Sequence, residues 1–166
     1  MPNRQDIYRH LVDVVAFLEK ELGQAPVVYG SLGVELALQH DYDAHDIDLI
    51  VMDEAYDPKK ITQSMRRHGY SVVPQTYLAY RKNGIDVEIA NWDFWKKAVA
   101  FTNDPMVTVM VDQTPMRVLS VPNLKLLYAF LARREGRAIV KRSRDQIKLN
   151  DLTQALKNQS KKTATP

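Results

Sequence analysis

Asp46 and Asp48 are separated by a single apolar residue in the run Asp46-Ile47-Asp48-Leu49-Ile50-Val51-Met52. If the run is a strand, side chains two apart lie on one face roughly 6.6 Å from each other, so the two carboxylates point the same way and Ile47 and Leu49 point the other. Left bare, that arrangement is costly, because like charges repel and Asp is a poor strand former. A divalent cation turns the repulsion into ligation, and hard carboxylate oxygens suit Mg²⁺ or Mn²⁺. An isolated Asp-x-Asp also arises by chance where solvated aspartates end a strand, so other residues must carry the reading further.

Two features do so. Upstream, Gly30-Ser31 follows the apolar run Val27-Val28-Tyr29 and opens a helical stretch. Glycine lets a phosphate approach the backbone, and a helix N-terminus offers free N–H groups and partial positive charge. Downstream, Asp86 and Glu88 are again two apart, so either supplies a third acid for a metal site. Across the two-residue turn Asn83-Gly84, Lys82 pairs with Ile85 and Arg81 with Asp86. The neighbouring cation keeps Asp86 ionised, as a ligand must be, and favours it over Glu88; a plain cross-strand ion pair is the alternative role.

Other chemistry is thin. There is no cysteine, which removes disulfides, thiolate sites and thiol catalysis. No Gly-x-x-x-x-Gly-Lys loop is present, Ser120 lacks a Gly-x-Ser-x-Gly context, and His10, His40, His45 and His68 have no ligand spacing and read as surface residues. Trp92, Phe94, Trp95 and Phe101 read as core or interface, with a stacking platform for a base as the alternative.

The elements that must position these groups follow from periodicity. Residues 4–22 carry Ile7, Leu11, Val14, Val15, Leu18 and Leu22 at helical spacing, stopped by Gly23 and Pro26. A strand at 27–29, a helix after Gly30, a strand at 46–52, a helix between Pro58 and Gly69, and a strand at 70–73 come next. A hairpin joins TYLAYRK to IDVEIA through Asn83-Gly84, with both turn residues suited to type I′. Asn91 caps a short helix, strands at 106–111 and 116–119 flank a turn, and Ser120 and Pro122 open a helix to about Arg134. Ser143, with Gln146 three residues on, reads as a capping box for a last helix to about Lys157. The expected fold is α+β: one domain over 1–158, with a mixed sheet and its helices over about 24–120, helices over 121–158, and a mobile tail at 159–166.

Length and composition agree with one soluble domain. The 166 residues are 45% hydrophobic and 26% charged, enough for a core and too apolar for disorder. No apolar run approaches the ~20 residues of a membrane span, and MPNRQDIYRH lacks the layout of a secretory signal, so the expected location is cytoplasmic. Charge is uneven: residues 1–124 carry about −5, and residues 125–166 about +8. A basic last third suits phosphate, in a nucleotide or a nucleic acid, or is a solvated helical face.

Val27-Val28-Tyr29-Gly30-Ser31, then His45-Asp46-Ile47-Asp48-Leu49-Ile50-Val51, then Gly84-Ile85-Asp86-Val87-Glu88-Ile89 together resemble the polymerase-beta-type nucleotidyltransferase superfamily. The fourteen residues between Ser31 and Asp46, the His before the acids, and Gly69-Tyr70 resemble its lincosamide- and aminoglycoside-modifying members. The resemblance implies that Asp46 and Asp48 bridge two Mg²⁺ (or Mn²⁺) ions, that Asp86 joins them, and that Gly30 and Ser31 seat the triphosphate. A nucleoside monophosphate would pass from a nucleoside triphosphate to a hydroxyl acceptor on a small molecule or protein. Arg142 or Arg144 would neutralise charge. Nucleic acid is a less favoured partner, because the basic residues alternate with apolar ones and are expected to pack back on the domain. Lys141-Arg142-Ser143-Arg144-Asp145 is similar to a basic segment of many relatives, but Lys148 stands where another Asp is frequent and Tyr128 where a Lys is common. Alternative readings are a non-catalytic nucleotide-binding or antitoxin-like module of the same fold, and a nucleic-acid binder using the basic third.

Overall fold

The computed structural model describes residues 2–163. The chain opens with α1 (Arg4–Leu22), whose N-cap Asn3 forms a reciprocal capping box with Asp6 and whose exit is Gly23 at φ 77°. It continues through β1 (Val27–Tyr29), α2 (Gly30–Leu38), β2 (Asp46–Val51), α3 (Pro58–Arg67), β3 (Ser71–Val72), β4 (Ala79–Lys82), β5 (Ile85–Asn91) and α4 (Trp92–Ala98). The hairpin β6 (Met106–Val111) and β7 (Thr114–Leu119) and the helices α5 (Val121–Arg133) and α6 (Ile139–Thr163) complete it. The class is α+β, as the sequence predicts.

All seven strands join one mixed sheet in the order β3-β4-β5-β2-β1-β7-β6. β2 is central. It runs antiparallel to β1 and parallel to β5, with Asp46 beside Asp86 and Asp48 beside Glu88. Asn83 and Gly84 both take positive φ, at 53° and 76°, as a type I′ turn requires, and the expected Arg81–Asp86 and Lys82–Ile85 pairs are present.

Alternation along β2 and β5 sorts their residues between two cores. Ile47, Leu49, Val51, Ile85, Val87 and Ile89 face α1 and α3, in a core with Leu11, Leu18, Ile61 and Met65. The opposite side of the sheet packs Tyr29, Ile50 and Leu119 against Trp95, Leu124, Leu127 and Leu152 from α4, α5 and α6. Asp46, Asp48 and Glu88 belong to this second side, where α5 and α6 leave a cleft.

The end of the chain differs from expectation. α6 begins at Ile139 rather than Ser143, after the turn at Gly136, which has φ 77°. Ser143 is therefore inside the helix: its hydroxyl donates back to the Ile139 carbonyl at 3.1 Å, and the Gln146 amide donates to Asn150 at 2.9 Å, so the capping box does not form. Residues 159–163, expected as the start of a mobile tail, continue α6; the rest of that tail lies outside the described residues. Among the described residues no helix is long and apolar enough to cross a membrane.

Candidate active site

β1 ends at Tyr29, and α2 starts on the next residue, so the helix N-terminus stands at the rim of the sheet directly opposite Asp48. Gly30 makes that junction possible. It has φ 67°, a conformation that side chains rarely adopt, and a Cβ there would lie 2.0 Å from Asp48 Oδ2 and push that carboxylate aside. Gly30 and Ser31 thus bring backbone and carboxylate together at one edge of a cavity of about 360 Å³.

The floor of this cavity holds Asp46, Asp48 and Glu88. Burial pushes the Asp48 carboxyl up to about 7, with the nearby charges of Glu88 and Asp46 adding to the effect. Glu88 is raised as well, first by burial and then by Asp46. Among the described residues no three acidic or histidine side chains are drawn into a finished metal cage. The donor chemistry nevertheless fits a hard divalent cation: three carboxylates stand together on adjacent strands, and a cation between them relieves the repulsion of like charges.

Asp86, the favoured third acid, is placed differently. Arg81 grips both its oxygens, with a terminal N–H donating to Oδ2 at 2.7 Å, and this pairing lowers the Asp86 pKa. Asp86 lies beside Asp46 but does not line the cavity, whereas Glu88, one step along the face and level with Asp48, does. The cation expected to keep Asp86 available instead occupies it.

The facing wall is cationic. Arg134, Arg137, Lys141, Arg144 and Lys148 line it from the α5–α6 turn and α6. Arg144 is the expected cation that reaches the cavity; Arg142 instead donates to the Arg137 carbonyl at 2.8 Å. Arg137 is fixed by two hydrogen bonds to the buried Asp145. The expectation that the basic residues pack back on the domain holds for Lys125, Arg137 and Lys148; Arg133, Arg134, Lys141, Arg142 and Arg144 remain exposed. Among the aromatics, Trp95 is buried against Tyr29 in a T-shaped contact of 5.6 Å and lines the cavity, whereas Trp92 stacks on Phe101. Burial and the Asp48 charge raise the pKa of the Tyr29 and Tyr128 phenols, which stay neutral donors.

Sequence reasoning missed Glu35. Buried at 3% exposure on α2, its carboxylate accepts from the backbone N–H of Tyr42 at 2.9 Å and of Ala44 at 2.8 Å, and from Arg4 of α1 at 2.9 Å. It thereby shapes the loop that leads into Asp46. Tyr42 in that loop donates to Asp151 at 2.6 Å, tying the loop to α6 and its cations. The available signal was one charged residue in the otherwise uncharged helix Gly30-Ser31-Leu32-Gly33-Val34-Glu35-Leu36-Ala37-Leu38. His45, read as a surface residue, is exposed at the rim and pairs with Asp43 at 3.3 Å.

No family model matches the chain. It is 23% identical over 156 residues to the uncharacterised protein YnaI of Bacillus subtilis (strain 168), covering 92% of this chain and 99% of that relative. Among solved structures it is similar to an antigenic nucleotidyltransferase-like protein from Paracoccidioides brasiliensis, with TM-score 0.64, 15% identity, and coverage of 92% of this chain and 78% of that one. It is also similar to the antibiotic-resistance factor ANT(2'')-Ia, with TM-score 0.57, 14% identity, and coverage of 93% of both chains. The fold is that of nucleotidyltransferase-like proteins, in agreement with the resemblance read from the sequence.

Proposed function

We propose that this protein is a metal-dependent nucleotidyltransferase that moves a nucleoside monophosphate from a nucleoside triphosphate to a hydroxyl acceptor on a small molecule or protein. The observation that carries this reading is the joint placement of Asp46, Asp48 and Glu88 on a cavity floor that begins at the α2 N-terminus and faces a cationic wall. Asp46, Asp48 and Glu88 would hold the divalent ions, Mg²⁺ or Mn²⁺, which when bound supply positive charge to the phosphoryl oxygens. Glu88 takes the place first given to Asp86.

The remaining work falls to the chain itself. Free N–H groups at Gly30 and Ser31 hold phosphate oxygens, and the α2 dipole favours their charge. The acceptor oxygen forms a bond to the α-phosphorus as the bond from that phosphorus to the bridging oxygen of the β-phosphate breaks; the acceptor proton is released, and pyrophosphate leaves with the electron pair. Cations on α6 face the charge that builds on the leaving group. Trp95 and Tyr29 close one side of the cavity with apolar surface that excludes water.

The exposed Arg133, Arg134, Arg142 and Arg144 favour one second reading, in which the acceptor is a nucleic acid. One experiment separates the two. Each of four α-labelled nucleoside triphosphates is incubated with the protein and Mg²⁺ in the presence of total RNA, protein or metabolite fractions. Label is expected in the metabolite or protein fraction and absent in EDTA; label in RNA supports the second reading, and label in none of them contradicts transfer.

A further inference from the structure

Tyr128 and Lys148, the two positions that depart from the resembled sequence pattern, meet in the folded chain. Lys148 Nζ sits 5.4 Å from the centroid of the Tyr128 ring, and both residues line the cavity. Lys148 is only 6% exposed. A charge this buried is ordinarily met by an opposite charge or by several acceptors, because losing its water is costly. The acid that acts on it most strongly, Asp145, is already held by Arg137 through two hydrogen bonds. Among the described residues Nζ forms neither an ion pair nor a hydrogen bond, and the face of one aromatic ring offsets only part of the lost hydration. The cavity therefore contains a cation that Asp145 and Asp48 reach only at longer range and that has no direct anionic partner among the described residues.

We infer that Lys148 is a nucleotide-binding residue that takes the β- and γ-phosphates, the part of the substrate released as pyrophosphate. The inference rests on the nucleotidyltransferase reading of this cavity. Position selects those phosphates. The α-phosphorus must lie near Asp46, Asp48 and Glu88, whereas Lys148 stands over Tyr128, whose phenol interacts with Ser31 at the α2 N-terminus. A chain of phosphates leaving the carboxylates along Gly30 and Ser31 arrives at Tyr128 and the ammonium above it. As the phosphorus–oxygen bond breaks, charge accumulates on the β-phosphate, and a fixed N–H donor that sheds no water at that moment stabilises it.

The test uses inorganic pyrophosphate, which carries no base and so does not depend on which nucleotide is used. Pyrophosphate, the four nucleoside triphosphates and the four monophosphates are titrated in Mg²⁺ against the wild type, Lys148→Met and Lys148→Arg, and each thermal midpoint is recorded. Lys148→Met is expected to weaken pyrophosphate and triphosphate binding by about 10- to 100-fold, the size of a lost charge-assisted hydrogen bond. Monophosphate binding should be unchanged, the midpoint equal or higher, and most of the affinity restored in Lys148→Arg. Unchanged pyrophosphate affinity in Lys148→Met would overturn the role of Lys148 and leave the catalytic reading standing. A wild type that binds neither pyrophosphate nor any triphosphate would overturn both. If Lys148→Met does not fold, Lys148→Gln answers the same question.

Discussion

β2 and β5 present two faces built from alternating residues of the same segments, and the two faces follow opposite rules. Toward α1 and α3, Ile47, Leu49, Val51, Ile85, Val87 and Ile89 are at most 3% exposed and pack within one hydrophobic core. Toward α5 and α6, the intervening Asp46, Asp48 and Glu88 stand side by side with no basic ion-pair partner of their own among the described residues. One face contributes stability through burial, each side chain by about 1.5–3 kcal/mol. The other does so only where Ile50 joins the second core; its acidic stretch adds no such burial, and in the proposed reading its charges serve a ligand. Substitutions on neighbouring residues of a single strand should therefore move different properties.

The largest effect is expected at Asp48. Replacing it with Asn should lower transfer by at least about a hundred- to a thousandfold, the range seen when one fixed electrostatic contributor is lost. In EDTA near neutral pH the same variant should melt no lower than wild type. Ile47→Ala, one residue away, should do the reverse: it leaves a cavity and costs roughly 2–5 kcal/mol, read as a lower midpoint in urea, while the folded fraction still transfers nucleotide. A comparable activity loss per folded molecule in both variants would erase the distinction between the faces.

Glu88 and Asp86 sharpen the comparison within the acidic face. Glu88→Gln should reduce transfer by roughly a hundredfold, and Asp86→Asn by less than about threefold, with a stability change of no more than about 1 kcal/mol from the exposed Arg81 pair. If the Asp86 variant is the inactive one, Arg81 must release its partner during the reaction.

Much of this was legible in the residues. The strand running into Gly30-Ser31, the period-two acids and the Asn83-Gly84 turn are local signals, and each element formed where its pattern placed it. Even the Arg81–Asp86 pair follows from counting across a two-residue turn. The residues left Asp86 and Glu88 both open as a third acid; that Glu88 and not Asp86 lines the cavity was not legible, because it depends on how β5 lies against β2, about forty residues earlier, and no local pattern sets a parallel register. The partnership of Lys148 with Tyr128 and the anchoring of the Asp46 loop by Glu35 were hidden for the same reason. Ser143 misled because a helix interior satisfies a hydroxyl by back-bonding as readily as a terminus does by capping.

The smallest expected effect is on pH dependence. In the metal-free folded chain the Asp48 carboxyl is held at about 7, against an ordinary value of 3.8. Across that interval the folded chain keeps a proton the unfolded chain has released, so this group's contribution to stability falls as pH rises. Thermal midpoints in EDTA from about pH 4.5 to 7.5 should therefore show Asp48→Asn gaining on wild type by a few degrees as pH increases. A constant gap would place the Asp48 proton elsewhere.

Calorimetric titration of the four nucleoside triphosphates into the wild-type chain, in Mg²⁺ and again in EDTA, tests the central claim most directly. Asp46, Asp48 and Glu88 repel phosphates unless a cation stands between them, so at least one triphosphate should bind in Mg²⁺ and weaken about tenfold or more in EDTA. Equal affinity in the two conditions would contradict a metal-dependent nucleotidyltransferase site.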